Sequence, residues 1–295
     1  ERGKDESVER ALARVRPEIV VVRSSLLKEP QLEAGGVAWP GLVMRAGAGV
    51  DNIAVEALRQ QGSVVANAAG ANAVAVAELT MAHLLNLDRR LSDQVESLRA
   101  GEWKRLEFAK GARGLFGAPL AVLGLGNIGC EVAARARAFG MQVRGYDPFV
   151  SKERMEELGI AKCETLEEAA DGAYALTVHM PLTPETRNAV GEKILGLMLP
   201  GALVVNMSRG GVVDEAALLR LAKERGLRAG LDVFENEPGA SGTTFEDVAI
   251  RECAQVYGTH HTGARTEQAA EAVENAVVRV VEAYLRGEAV PGAVS

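Results

Sequence analysis

"PLAVLGLGNIG", residues 119–129, joins a short apolar run to three glycines spaced G-x-G-x-x-G. By itself that spacing says little, and its surroundings give it meaning. The run before it has the length and apolarity of a buried strand. Residues 128–139 follow with the pattern of a helix, and "MQVRGYD" (141–147) reads as the next strand, ending in Asp147. An acid about 20 residues beyond glycines that open a helix is the dinucleotide-binding arrangement. Gly124 permits the tight turn, Gly126 lets backbone approach a pyrophosphate, and Gly129 permits close helix–strand packing. The helix start offers free N–H groups and a positive dipole end to the phosphates. A carboxylate at Asp147 accepts from both hydroxyls of an adenosine ribose and repels a 2′-phosphate, which favours NAD over NADP.

Outward from this unit, strand and helix patterns alternate. "EIVVVRS", "GLVMRAG" and "SVVAN" precede it as short apolar runs, and a long helical stretch is expected from Ala71 to about Arg99. After it, "AYALTVHM", "GALVVNMS" and "LRAGLDVF" read as strands. "DEAALLRLAKERG" reads as a helix stopped by Gly226, and a last helix as spanning about Thr266 to Arg286. Thr165 and Glu168 have capping-box spacing. Such alternation predicts an α/β fold of parallel sheets covered on both faces.

The 295 residues suffice for two domains, and 47% apolar against 25% charged residues is a globular balance. A net charge of −7 argues against nucleic acid or an anionic membrane as partner. No apolar run has bilayer-spanning length. Cys130, Cys163 and Cys253 form neither a zinc spacing nor a disulfide framework, so no metal site is expected and the cytoplasm is the natural compartment. Cys130 falls near a helix start, where a thiol pKa can drop, but a packing role is expected of it.

Three later segments, "NMSRGGVVDE", "LDVFENEP" and "THHTGA", carry polar residues at expected strand ends. In an open α/β sheet those ends face the ligand crevice. Arg209, Glu237 and one of the adjacent His260 and His261 can therefore converge. A His, a carboxylate and a guanidinium are residue types suited to proton transfer and to holding an anion.

With "VVRS", "RAGAGVDNI", "LGLGNIG", "MPLTPETR", "SRGGVVDE", "LDVFENEP" and "HTGA" in this order, the chain resembles the D-isomer-specific 2-hydroxyacid dehydrogenases, and most of all their phosphoglycerate dehydrogenase branch. The resemblance implies two Rossmann-like doubly wound domains with a cleft between them. Residues 1–71 with 266–295 would bind substrate, and 72–265 would bind dinucleotide. It implies Arg209, Glu237 and His261 as the catalytic set, with His260 a structural neighbour. Asn127 and Ile128 would lie at the pyrophosphate turn, Asp232 at the nicotinamide amide, Met180, Met207 and Ser208 along the groove, and Gly263 and Ala264 on the nicotinamide side. His179 is expected to serve packing or the groove, and His83 a core or an interface. Arg23, Arg45 and Arg105 match phosphate-binding positions of that branch, Arg105 reaching in from a partner subunit, while the backbone of Ala46 and Gly47 holds the substrate carboxylate.

The implied reaction is hydride transfer between NAD and 3-phosphoglycerate, or its 2-oxo partner, in a cytoplasmic homodimer built on the dinucleotide domain. Two other functions stand beside it: a glyoxylate/hydroxypyruvate reductase, and an NAD-sensing, corepressor-like binding protein. The chain departs from the family in three places. The family's first elements are missing before "KDESVERALARV", which would expose part of a sheet. Arg265 stands where a Ser is usual. No C-terminal regulatory domain follows, so feedback through one is not expected.

Overall fold

The computed structural model of the protein describes residues 6–34, 39–238 and 242–294. The chain divides into two compact units, Glu1–Asn72 with Arg265–Ser295, and Ala73–Ala264. The first unit holds a parallel sheet of β1 (Ile19–Val22), β2 (Leu42–Arg45) and β3 (Val64–Asn67), in that order. Leu42, Val43 and Met44 in the middle strand are wholly buried. The 19-residue helix Glu267–Leu285 packs on β2, started by Thr266, whose hydroxyl accepts from Ala269 N–H. At the sheet's edge, Val21 of β1 remains half exposed.

The second unit is built on β4 (Pro119–Leu123), β5 (Gln142–Tyr146), β6 (Ala161–Lys162), β7 (Ala175–Val178), β8 (Leu203–Asn206), β9 (Arg228–Leu231) and β10 (Val256–Gly258). All pairings are parallel, in the order β10-β9-β8-β7-β4-β5-β6. The chain winds outward from β4 through β5 and β6, then returns to lay β7 on the other side. The order therefore reverses between β4 and β7, which opens a crevice at their carboxyl ends. Apolar runs without alternation suit these strands because both faces are covered. Leu123, Leu176, Val178 and Val204 enter one core layer, and Leu120, Val122, Leu203 and Val205 the other. Truncating such a side chain, as in Leu123→Ala, costs about 2–5 kcal/mol.

Two sequence expectations need correction. The long helix is two, Ala73–Arg89 and Leu91–Arg99, broken at Arg90, which sits in the left-handed region at φ 51° and ψ 49°. No Gly or Pro marks the break, because its cause is tertiary. The Arg90 guanidinium donates to Glu107 O at 2.7 Å and lies over the Phe108 ring. Thr165 caps its helix as expected, but the Glu168 carboxylate accepts from Glu164 N–H, one residue before the cap. Cys130 lies in the first turn of a helix and packs against the core, where burial pushes its thiol pKa up, in line with the packing role expected of it. Among the described residues no helix is long and apolar enough to cross a membrane.

Candidate active site

The polar residues of the second unit gather at the carboxyl ends of its strands. Asn206 ends β8 and is buried. Its side-chain oxygen accepts from Ser208 N–H and Ser208 Oγ, and its amide donates to Arg209 O at 3.0 Å. One side chain thus folds the turn that presents Arg209. The turn lies directly on the loop after β9. A Cβ on Gly210 would stand 1.9 Å from Phe234 O and 2.6 Å from Glu235 N, so only glycine lets the two backbones meet.

That second loop carries Glu237, whose Oε1 accepts from Phe234 N–H at 2.9 Å. Its Oε2 lies 2.9 Å from Nδ1 of His261. Burial pushes the Glu237 carboxyl pKa up, but the hydrogen bonds from His261 and Phe234 N–H outweigh it and leave it below the usual range. His261 is raised above its ordinary value, first by the hydrogen bond to Glu237. The Arg209 charge acts on both, lowering Glu237 and opposing the rise of His261. Arg209, Glu237 and His261 are therefore electrostatically one group, although they come from three loops. The imidazole is half exposed, and with Nδ1 engaged its Nε2 is the nitrogen available to a substrate.

His261 has φ 51°, a left-handed conformation that costs a residue with a Cβ about 1–2 kcal/mol. Asp232, after β9, holds it there. Its Oδ1 accepts from Thr259 Oγ1 at 2.6 Å and Thr262 N at 2.9 Å, and its Oδ2 from Gly263 N at 2.8 Å. An ionised carboxylate accepts about four hydrogen bonds, so one place on Asp232 is left for a ligand. Behind it, His83 Nε2 lies 3.2 Å from Thr259 Oγ1. The Thr259 proton goes to Asp232, so His83 must be the donor and carries its hydrogen on Nε2. Burial lowers the His83 pKa, against the pull of the Asp232 charge, and so favours the neutral ring. His83 is thus a core residue that braces the loop. His260, its neighbour His261 and Arg265 are exposed.

The glycine segment follows β4. Gly124 has φ 89°, and a Cβ there would meet the backbone of His179 and Met180 at 2.9 Å. A Cβ on Gly129 would stand 2.0 Å from Gly124 O, so helix and turn are in contact. Gly126 instead faces open space and is the N-cap of the helix Asn127–Ala138, with no side chain capping that helix. Asn127 and Ile128 form its first turn. Free N–H groups under an open glycine are what a pyrophosphate requires. Asp147, just beyond β5, accepts Leu125 N–H on Oδ2 and Phe149 N–H on Oδ1. Each oxygen keeps a lone pair for a ribose hydroxyl. Arg144 is turned away, bound to Ala169 O and Asp171 O. The residues present therefore fit a dinucleotide without a 2′-phosphate.

Other expected contacts are less open. Met180, Met207 and Ser208 are buried, and Met207 Cε would lie 3.1 Å from a Cβ on buried Gly263, while Ala264 is exposed. Both ring nitrogens of His179 are shielded and unpartnered, and burial lowers its pKa to about 3. It is no acid–base group. In the first unit, Arg45 ends β2 in register with Val22, and Arg23 follows Val22 directly. Arg23 is exposed. Arg45 donates to Ala46 O at 2.6 Å and Asn52 Oδ1 at 3.3 Å. Ala46 and Gly47 follow, and a Cβ on Gly47 would collide with the Arg45 guanidinium. In the second unit Arg105 opens the short helix Arg105–Ala109 and is exposed beside Trp103 and Phe108. Among the described residues no group of three or more His, Cys, Asp or Glu could hold a metal.

The sequence did not single out Asn206 or Thr259, nor the bracing partner of His83. A polar residue closing an apolar run, as in "LVVN", was the available signal for Asn206.

Residues 81–263 match the family model described as D-isomer specific 2-hydroxyacid dehydrogenase, NAD binding domain. D-3-phosphoglycerate dehydrogenase of Methanocaldococcus jannaschii is 43% identical over 248 residues, 84% of this chain and 46% of the relative. The enzyme of that name from Bacillus subtilis is 38% identical over 86% of this chain and 47% of its own. The chain thus spans about half the length of the curated relatives it matches. Among solved structures, D-lactate dehydrogenase from Aquifex aeolicus, complexed with NAD and lactic acid, superposes with a TM-score of 0.80. It is 29% identical and covers 95% of this chain and 86% of that one.

Proposed function

The chain belongs to the D-isomer specific 2-hydroxyacid dehydrogenase family, and from that premise we propose an NAD-dependent oxidoreductase acting on a 2-hydroxy acid/2-oxo acid pair, namely 3-phosphoglycerate and 3-phosphohydroxypyruvate. The observation that carries the reading is the Glu237–His261 pair at 2.9 Å with the Arg209 charge beside it, on the unit that holds the glycine cradle. When bound, the nicotinamide supplies or takes the hydride at substrate C2. The protein handles the proton. In reduction, the His261 imidazolium gives its Nε2 proton to the substrate carbonyl oxygen as C2 becomes tetrahedral. In oxidation, neutral His261 takes the hydroxyl proton at Nε2, while Nδ1–H keeps its bond to Glu237. Glu237 fixes the tautomer and favours the protonated ring. Arg209 clamps the substrate carboxylate and polarises the carbonyl.

For the cofactor, Gly124, Gly126, Asn127, Ile128 and Gly129 would hold the pyrophosphate and Asp147 the adenosine ribose. Asp232 would use its remaining acceptor place on the carboxamide. Arg23, Arg45 and Arg105 are assigned to the substrate phosphate, and the backbone at Ala46 and Gly47 to its carboxylate. The identity to phosphoglycerate dehydrogenases supports this choice of substrate. A cytoplasmic homodimer, built on the second unit, completes the proposal.

The test follows NADH absorbance with a panel of 2-oxo acids, for the wild type and His261→Ala. Turnover confined to 3-phosphohydroxypyruvate and lost in the variant is expected. Equal turnover on glyoxylate or hydroxypyruvate removes the phosphate assignment, and NADH binding without turnover on any acid overturns the enzymatic reading.

A further inference from the structure

Glu215 is a buried carboxylate with no part in the chemistry above. It is the first residue of the helix Glu215–Arg225, next to the cap Asp214, whose own carboxylate accepts from Ala217 N–H. Its Oε1 accepts from Glu235 N–H at 2.7 Å. The neighbouring N–H, of Phe234, is held by Glu237. Two successive amides of one loop are thus received by two different carboxylates. The peptide between those amides is the one that rests on Gly210.

The surroundings of Glu215 do not favour a charge. Glu235 and Glu237 face it from the loop, and Asp247 from the cap of the helix Val248–Arg251. Arg187 lies 3.9 Å from Glu235, and among the described residues no cation forms an ion pair with Glu215. Burial, then the neighbouring carboxylates, push its pKa up to about 7 against the pull of the Glu235 amide. A carboxylate kept in such a place works against stability, and an apolar residue of that volume would be easier to bury. Its one evident return is the grip on the Glu235 peptide.

We infer that Glu215 is a positioning residue of the acid–base pair: it draws the 234–237 loop onto Gly210 and so sets Glu237 against His261 and Arg209. The inference rests on the function proposed above for that pair. Loss of the acceptor frees the Glu235 amide, loosens the loop and lengthens the Glu237–His261 contact. A glutamine keeps an acceptor oxygen and the volume, but not the charge.

The test is the titration of the His261 ring protons by NMR, which needs no substrate, together with steady-state kinetics and thermal midpoints. Wild type, Glu215→Ala, Glu215→Gln and Glu237→Gln are compared, with His261→Gln assigning the signal. In Glu215→Ala the His261 pKa falls by about half a unit or more toward its ordinary value. There kcat falls roughly tenfold or more, while KM for NADH stays within about twofold. Glu215→Gln keeps most of the His261 shift and of kcat. The inference is overturned if Glu215→Ala leaves the His261 titration and kcat unchanged. If the alanine variant does not fold, Glu215→Met, of similar volume but without an oxygen to accept from Glu235 N–H, takes its place, and an unchanged His261 titration and kcat there overturn the inference. A Glu237→Gln variant that leaves His261 unmoved counts against the pair itself, which separates that failure from this one.

Discussion

Asp232→Asn tests whether the His261 loop is held by a carboxylate or merely lies near one. The loop keeps His261 left-handed at about 1–2 kcal/mol. Asp232 meets that strain with two backbone N–H bonds, from Thr262 and Gly263, each to a charged acceptor and each contributing about 1.5–3 kcal/mol. Together they exceed the strain with a margin. Asparagine has one acceptor oxygen. With that oxygen toward Thr259 and Thr262, its NH2 meets the Gly263 N–H. Flipped, it meets the Thr262 N–H. In either orientation one backbone donor loses its partner, and the surviving bond, now to a neutral acceptor, contributes about 0.5–1.5 kcal/mol. That only matches the strain, so the loop opens. The net loss is about 2–4 kcal/mol. For a unit the size of Ala73–Ala264 it lowers the thermal midpoint by about 4–16 °C. Hydrogen exchange reads the same event locally, as lost protection at the Thr262 and Gly263 amides while β4 and β7 keep theirs. Unchanged protection at those two amides, with a midpoint within about 1 °C of wild type, would refute the reasoning.

The raised pKa of His261 keeps the imidazolium populated below that value, so reductive turnover is lost as pH rises through it. In Glu237→Gln the hydrogen bond that raises it weakens, and the alkaline fall of kcat/KM for the 2-oxo acid moves to lower pH. Asp147→Asn removes the charge facing the ribose. NADH binding, read by fluorescence, weakens several-fold, and the preference over NADPH narrows by roughly tenfold. Gly210→Ala places a Cβ inside contact distance of the Phe234 carbonyl. A denaturant midpoint corresponding to about 1–3 kcal/mol lower stability is expected, with kcat reduced.

The sheet of the second unit was legible because its strands are buried on both faces and so read as unbroken apolar runs. β6 and β10 were not, since they are two and three residues long and none of their residues is fully buried. The helix break at Arg90 had no local signal, being fixed by Glu107 and Phe108 from a later segment. The residue types of the site could be picked out individually because each closes an apolar run. Their mutual support could not. Asp232 reads as a ligand contact in sequence, whereas three of its acceptor places go to a loop about 30 residues away. His83 lies 176 residues from the threonine it braces. Such links depend on which strand ends become neighbours, and that follows from the sheet order rather than from spacing along the chain.

Every group assigned to chemistry in the second unit's sheet follows a strand's carboxyl end. The opposite rim is shaped by different rules. There Gly172, Gly201 and Gly226 turn the chain with φ of 64°, 73° and 69°, and a side chain at any of them would meet nothing within 4 Å. These turns are the natural places to open the polypeptide, rejoin its ends elsewhere or splice in a reporter. An insertion at Gly172 or Gly201 would leave the glycine cradle and the His261 loop untouched, so a sensor for the bound nucleotide could be grafted there without disturbing what it reports on.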